Sequence, residues 1–111
     1  MRIALLLALA FTTSAIVAAE RQLAVPTDAK ARYTILEIGG NHPNKTIVTR
    51  RVGSSGTTYS KRIYNCLHRT VKYLGSGDTL AEMNASNPDP KMASIVDLSI
   101  ADYVGREACK R

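Results

Sequence analysis

The sequence predicts an α+β fold: a small antiparallel sheet of three or four strands, with a C-terminal helix packed on it and one disulfide. Three observations lead to this prediction. Runs of β-favouring residues alternate with glycine-rich turns between residues 33 and 77, and a helix-capping pattern begins at Ser99. The chain also has only two cysteines, Cys66 and Cys109.

The N-terminal residues have the layout of a secretory signal peptide. Arg2 precedes an apolar run over residues 3–11, and a stretch of small residues ends at Ala19. The apolar region is interrupted by polar residues at 12–14 and is shorter than the ~20 residues that a bilayer core requires, so cleavage is favoured over an uncleaved anchor. We therefore expect residues 1–19 to be removed, the protein to be periplasmic or secreted, and no integral membrane segment to remain.

The segment between the signal peptide and the first strand predicts a flexible leader. Residues 20–32 are polar, contain Pro26 and show no sustained apolar period. We expect the disulfide-stabilised domain to cover residues 33–111, a length that supports one domain with little stability to spare.

Three segments favour strands, and a fourth follows them. Residues 33–38, 46–52 and 57–66 are rich in β-formers, and a Gly-Ser-Ser-Gly tetrad separates the second from the third. Residues 71–74 predict a fourth strand after a turn. The alternative is one long strand, bent at a bulge near Cys66.

Two helices are expected after the strands. Residues 75–78 interrupt the strand pattern, and Asp78 is placed to cap a short helix over residues 79–83. Ser99 and Asp102 form a capping box, with aspartate in the position usually held by glutamate or glutamine. The helix that follows carries an apolar stripe that suits packing on a sheet, formed by Ile100, Tyr103, Val104 and Ala108.

The two cysteines predict a structural disulfide. Paired thiols persist in oxidising compartments, and Cys66 and Cys109 form the one possible pair. Closing a loop of this length contributes about 4 kcal/mol on the chain-entropy model, a large share of the total for so small a domain.

Basic residues cluster in the middle of the chain. The formal net charge is +6, and no Asp or Glu occurs over residues 38–77, whereas residues 78–107 are acidic. Clustered cations favour contact with an anionic polymer or an envelope protein, and the alternative is a solvated strand face partly neutralised by the acidic segment. Phe11 is the one Phe and Trp is absent, which disfavours nucleic acid because base-stacking platforms would depend on tyrosine alone. The predicted contact residues are Arg50, Arg51, Lys61, Arg62, Arg69 and Lys72.

No catalytic, cofactor-binding or metal-binding set emerges from the sequence. Residues 39–46 approach a phosphate-binding P-loop, but Asn44 replaces its second glycine and a strand pattern follows where a helix is needed. Cys66 and His68 supply two zinc ligands where three or four are usual. We therefore predict a protein that is not an enzyme. The alternatives are a small secreted hydrolase or thiol enzyme, and an inhibitor of a secreted protein that acts through loop 39–44.

Several motifs resemble a group of short exported bacterial proteins of unknown function. They are N-K-T-I-V-T-R-R, Y-L-G-S-G-D-T-L-A-E-M, P-D-P-K-M and S-I-A-D-Y-V, and the resemblance covers residues 33–109. More remotely, the order Y-x-C, S-I-A and a terminal A-C is similar to the C-terminal part of the surface-adhesin protein E family, small antiparallel sheets with a disulfide-tied helix. No binding residue is transferred from that family. The resemblance implies a periplasmic or secreted protein and brings no known activity. Our leading hypothesis is a non-enzymatic binding or structural module of the bacterial cell envelope.

Overall fold

In residues 20–110, six strands form one antiparallel sheet, and a helix lies on each of its faces. The computed structural model describes residues 20–110; the expected signal peptide, residues 1–19, lies outside this range. The elements are β1 (Arg21–Leu23), β2 (Arg32–Asn41), β3 (Asn44–Gly53), β4 (Gly56–Asn65), β5 (Thr70–Gly77), α1 (Leu80–Ala85), β6 (Ala93–Ser94) and α2 (Ile100–Cys109). Each strand pairs with its neighbours along the chain, in the order β1-β2-β3-β4-β5-β6. The α+β class and the C-terminal helix are confirmed.

The sheet has six strands rather than three or four, because two short strands extend its edges. β1 pairs with residues 33–35 of β2, and β6 pairs with Thr70 and Val71 of β5. Strands of two or three residues are too short to show an alternating pattern in sequence. β1 and β6 are strands because they pair with β2 and β5.

The segment expected to be a flexible leader begins the sheet instead. It contains β1 and a single 3-10 turn at Pro26–Asp28, and Val25 between them is buried. Contacts with residues distant in sequence hold it, above all the ion pair between Asp28 and Arg51. Ordered structure therefore starts before the expected residue 33.

β4 and β5 are separate strands, as the first of the two alternatives predicts. Asn65 ends β4, and its side-chain Oδ1 accepts the N–H groups of Leu67 and His68, at 3.1 and 3.0 Å. An asparagine that bonds the backbone two and three residues ahead favours a turn. Arg69 completes the turn with a positive φ of 52°.

The main core lies between α2 and one face of the sheet, which we call the α2 face. Residues directly opposite one another in neighbouring antiparallel strands share a face. The apolar cluster consists of Ile35, Ile47, Tyr64, Val104 and Ala108. Gly105 allows the close approach of helix and sheet, because a Cβ there would lie 2.5 Å from Cε1 of Tyr64. The predicted packing of this helix on the sheet is thus confirmed.

The opposite surface, which we call the α1 face, is covered in part by the short helix. A Cβ on Gly75 would lie 2.2 Å from the carbonyl oxygen of Met83, so only glycine lets α1 approach β5 this closely. β5 consequently runs through Gly77, where the sequence predicts an interruption. Thr79, not Asp78, caps α1: its side chain accepts the N–H of Glu82 at 3.1 Å.

α2 begins with the predicted capping pattern and ends at the predicted disulfide. The Ser99 hydroxyl accepts the N–H of Asp102 at 3.1 Å, and Asp102 Oδ2 accepts the N–H of Leu98 at 2.8 Å. At the other end of α2, Cys109 is joined to Cys66 in the β4–β5 turn, with Cα atoms 5.7 Å apart. The helix is therefore tied to the sheet at its last turn.

Candidate functional site

The six predicted contact residues do not share one face of the sheet. Successive residues of a strand point to opposite faces, so the neighbouring pairs Arg50–Arg51 and Lys61–Arg62 are divided between them. Arg50, Lys61 and Lys72 lie on the α1 face, Arg51 and Arg62 on the α2 face, and Arg69 in the β4–β5 turn. The six cations therefore form two groups and one isolated residue.

Arg51 belongs to a half-buried polar cluster with Asp28 and Tyr33. Its Nε lies 2.8 Å from Oδ2 of Asp28 and donates to Tyr33 Oη at 3.1 Å, and the Tyr33 hydroxyl itself donates to Asp28. The hydrogen bonds from Arg51 and Tyr33 lower the pKa of the Asp28 carboxyl. Burial, together with the hydrogen bond to Asp28, raises the pKa of Tyr33 to about 12. This cluster fastens the N-terminal segment to the sheet, which leaves Arg51 a structural residue.

Arg69 is also neutralised. It lies 3.6 Å from Oδ1 of Asp102 and 3.6 Å from Oδ1 of Asp97. Asp102 is buried and receives a second guanidinium, that of Arg106, at 2.8 Å. The hydrogen bond from the Leu98 N–H, followed by that from Arg106, lowers the pKa of Asp102. Two cations and two carboxylates thus balance at the start of α2.

Arg62 is buried on the α2 face. It is 4% exposed, its Nη1 donates to Thr49 Oγ1 at 3.1 Å, and its Nη2 donates to Tyr73 Oη at 3.0 Å. Among residues 20–110 no carboxylate lies within 4.0 Å of it, and its Nε has no hydrogen-bond partner. A guanidinium enclosed in this way cannot contact a large polymer.

The three cations of the α1 face form a diagonal row. Arg50 on β3 is opposite Tyr59 of β4, two residues from Lys61, and Lys72 on β5 is opposite Ile63, two residues beyond Lys61. Arg50 makes one exposed ion pair with Glu20, at 3.4 Å, which contributes little in water. In the described part of the chain, neither lysine has a carboxylate within 4.0 Å. Lys61 and Lys72 are thus the members of this row that have no ion-pair partner in the described residues.

The residues weighed for chemistry are dispersed. Cys66 is joined to Cys109, so neither thiol is free, and His68 is exposed in the β4–β5 turn. His42 lies in the β2–β3 hairpin turn. This turn is part of the segment that we compared with a P-loop and kept as an alternative inhibitory loop. Over residues 20–110, no three His, Cys, Asp or Glu side chains are arranged to hold a metal ion. Neither helix in that range is long and apolar enough to cross a membrane.

Sequence reasoning did not single out a second group of polar residues at the β5 edge. Tyr73 of β5 and the loop residues Asn87 and Asp89 border a polar cavity there. From the sequence, the Asn-Pro-Asp-Pro segment at residues 87–90 is predicted only to be a loop. Its hydrogen bond to Tyr73 of β5 depends on where α1 places it. The chain matches no family model, and neither the curated proteins nor the solved structures contain a significant match to it.

Proposed function

We propose that this protein is a non-enzymatic binding or structural module of the bacterial cell envelope, exported to the periplasm or secreted, which contacts an anionic polymer through its α1 face. The observation that carries the proposal is the diagonal row of Arg50, Lys61 and Lys72. Clustered cations raise the local potential and release counterions when an anionic chain binds.

The charge balance of the α1 face supports this assignment. On the α2 face, Arg51 is paired with Asp28 and Arg62 is enclosed. On the α1 face, Glu37 is the acid nearest the row within the sheet, two strands away from Lys61, because both residues are opposite Val48. Lys61 and Lys72 therefore remain cations without an ion-pair partner among residues 20–110.

The state of the cysteines supports a non-enzymatic role. A thiol enzyme requires a thiolate nucleophile, and both sulfurs are committed to the disulfide. The disulfide also suits an oxidising compartment, which agrees with export after removal of residues 1–19.

Chromatography on heparin and on phosphocellulose tests the proposed surface. The variant Lys61→Ser/Lys72→Ser should elute at clearly lower salt than the wild type, because each lost contact reduces the number of counterions released. The matched control is Lys30→Ser/Lys91→Ser, which removes the same charge from two exposed lysines with no carboxylate within 4.0 Å in residues 20–110. Equal shifts for the two variants would show that net charge alone governs retention, and the α1 face would be rejected.

A further inference from the structure

A polar cavity of about 290 Å³ opens at the edge of β5, next to the loop that leads from α1 to β6. Every residue that lines it has a polar side chain except Gly75, and none is Lys or Arg. The groups used below are Ser60, Tyr73, Ser76, Ser86, Asn87 and Asp89. The cavity is thus rich in hydroxyl, amide and carboxylate groups and carries no cationic side chain.

Tyr73 gives this cavity an exposed aromatic ring that is held in place. The residue is 41% exposed, yet its hydroxyl accepts a hydrogen bond from Arg62, whose guanidinium carbon lies 4.7 Å from the ring centroid. Its backbone is bonded on the other side to Asp89, whose N–H donates to the Tyr73 carbonyl at 2.9 Å. A ring that is already immobilised loses little conformational entropy when a ligand stacks on it.

Arg62 is a buried cation whose contacts are made mainly with Tyr73. Its interactions are a hydrogen bond to Thr49 and the two contacts with Tyr73, one to the hydroxyl and one to the ring. A buried charge that lacks an opposite charge is costly to keep. Through its two contacts with Tyr73, Arg62 fixes the orientation of the Tyr73 side chain.

The loop supplies the remaining polar groups. α1 packs closely against Gly75, and its last turn leads directly to Ser86 and Asn87 at the mouth of the cavity. Asp89 Oδ2 accepts the Tyr73 N–H at 3.4 Å. A carboxylate has two oxygens that accept about four hydrogen bonds, so acceptor capacity remains for a ligand.

We propose that this cavity binds one neutral sugar ring, stacked on Tyr73 and hydrogen-bonded through its hydroxyls to Asn87, Asp89 and the serines. A pyranose presents hydroxyls that both donate and accept, and an apolar C–H face that suits an aromatic ring. An anionic ligand is disfavoured, because Asp89 would repel it. The cavity is just smaller than the usual small-molecule site, whose volume is about 300–1,000 Å³, which limits it to a single ring.

This site is separate from the diagonal row of cations and does not depend on it. Tyr73 and Ser60 lie on the α2 face, and neither Lys61 nor Lys72 of the α1 face lines the cavity, although Gly75, which is opposite Lys61, does. The two proposals therefore fail independently, and each has its own set of variants.

NMR titration of the oxidised protein tests the site. The probes are methyl α-D-glucopyranoside, N-acetylglucosamine and galactose, each raised to about 10 mM, a range that detects dissociation constants near 1 mM. With at least one probe we expect saturation transfer to the ring C–H protons and amide shifts confined to residues 58–60, 73–76 and 86–89. Glucuronate serves as the anionic comparison and should bind at least tenfold more weakly.

Two variants and one control decide the result. Tyr73→Ala and Asn87→Ala should each weaken binding at least tenfold, and Asn87 is an exposed loop residue whose removal leaves the sheet intact. Tyr103→Ala is the control: its ring also lies beside an arginine, 5.1 Å from Arg106, but it belongs to α2 and does not line the cavity. Absence of localised shifts, unchanged binding by Asn87→Ala, or preference for glucuronate would each overturn the proposal.

Discussion

The two halves of the α2 face are closed by different forces. The half beneath α2, which we call the helix half, consists of Ile35, Ile47, Tyr64, Val104 and Ala108 and is almost entirely apolar. The half nearer the β3–β4 hairpin, which we call the hairpin half, consists of Tyr33, Thr49, Arg51, Ser60 and Arg62. Four of these five residues are buried, but hydrogen bonds link Arg51 to Tyr33 and Arg62 to Thr49, and an ion pair links Arg51 to Asp28.

The difference shows what each half requires from the sequence. Burial of apolar surface is non-directional, so the helix half needs only residues of suitable size on the correct face. A buried polar group needs a partner at a specific distance and angle, so the hairpin half depends on particular pairs such as Asp28 with Arg51. The helix half should therefore contribute most of the stability, whereas the hairpin half couples stability to pH through Asp28 and Tyr33.

The largest effect should come from the disulfide at the end of the helix half. Cys66→Ala/Cys109→Ala should lower the free energy of unfolding by about 4 kcal/mol, because the unfolded chain regains the entropy of a loop between residues 43 apart. Urea unfolding followed by circular dichroism measures the difference. Wild-type protein kept fully reduced should match the variant, and a loss below about 1 kcal/mol would show that the disulfide is dispensable for stability.

A smaller effect is expected where α2 touches Tyr64. Gly105→Ala should cost about 1–3 kcal/mol, because the new methyl group overlaps the Tyr64 ring and forces the helix away from the sheet. Thermal unfolding compares this variant with Lys110→Ala, an exposed change near the end of the same helix that should lie within about 0.5 kcal/mol of wild type. If both variants unfold at the same temperature as wild type, the helix half is loosely packed and the comparison fails.

The hairpin half should show its contribution at the extremes of pH. The lowered pKa of Asp28 means that its contribution is present above the unfolded value, near 3.8, and is lost as pH falls through the folded value. The pKa of Tyr33 is raised to about 12, so its contribution is complete below the unfolded value of 10.0 and is lost as pH rises towards 12.

Tyr33→Phe and Asp28→Asn separate these two limbs. Stability measured by urea unfolding should fall less steeply above pH 10 in Tyr33→Phe and less steeply in acid in Asp28→Asn. Wild-type protein measured over the same pH range is the reference for both limbs. Slopes that remain unchanged in both variants would show that the hairpin half does not couple to protons.

The sequence predicts the helix half well and the hairpin half poorly, for the same physical reason. The helix α2, its capping pair Ser99–Asp102 and the disulfide all leave local or countable signals, and the structure contains each of them. Of the predicted stripe, Val104 and Ala108 are buried in the core and Ile100 packs against it, whereas Tyr103 is half-buried outside the apolar cluster. The attachment of the N-terminal segment to the sheet leaves no such signal. Asp28 and Arg51 are 23 residues apart, and no local sequence pattern indicates that they pair.

The candidate surface was predictable only as a set of cations. Adjacent basic residues on a strand must point to opposite faces, so the sequence could indicate that Arg50 and Arg51 would be divided, but not which one would be paired. The cavity at β5 left a weaker signal still. The cavity exists because the missing side chain of Gly75 lets α1 pack closely on β5. In the sequence alone, a glycine at this position also fits a strand that ends in a turn.

The meander order of the strands also bears on how the chain assembles. β3, β4 and β5 each lie beside the strand made just before, across connections of two to four residues, so the entropy of each of these closures is small. A chain made from its N-terminus can therefore add these strands one after another. Attachment of the final helix, and oxidation of its cysteine, would then come last and secure a sheet that was already in register.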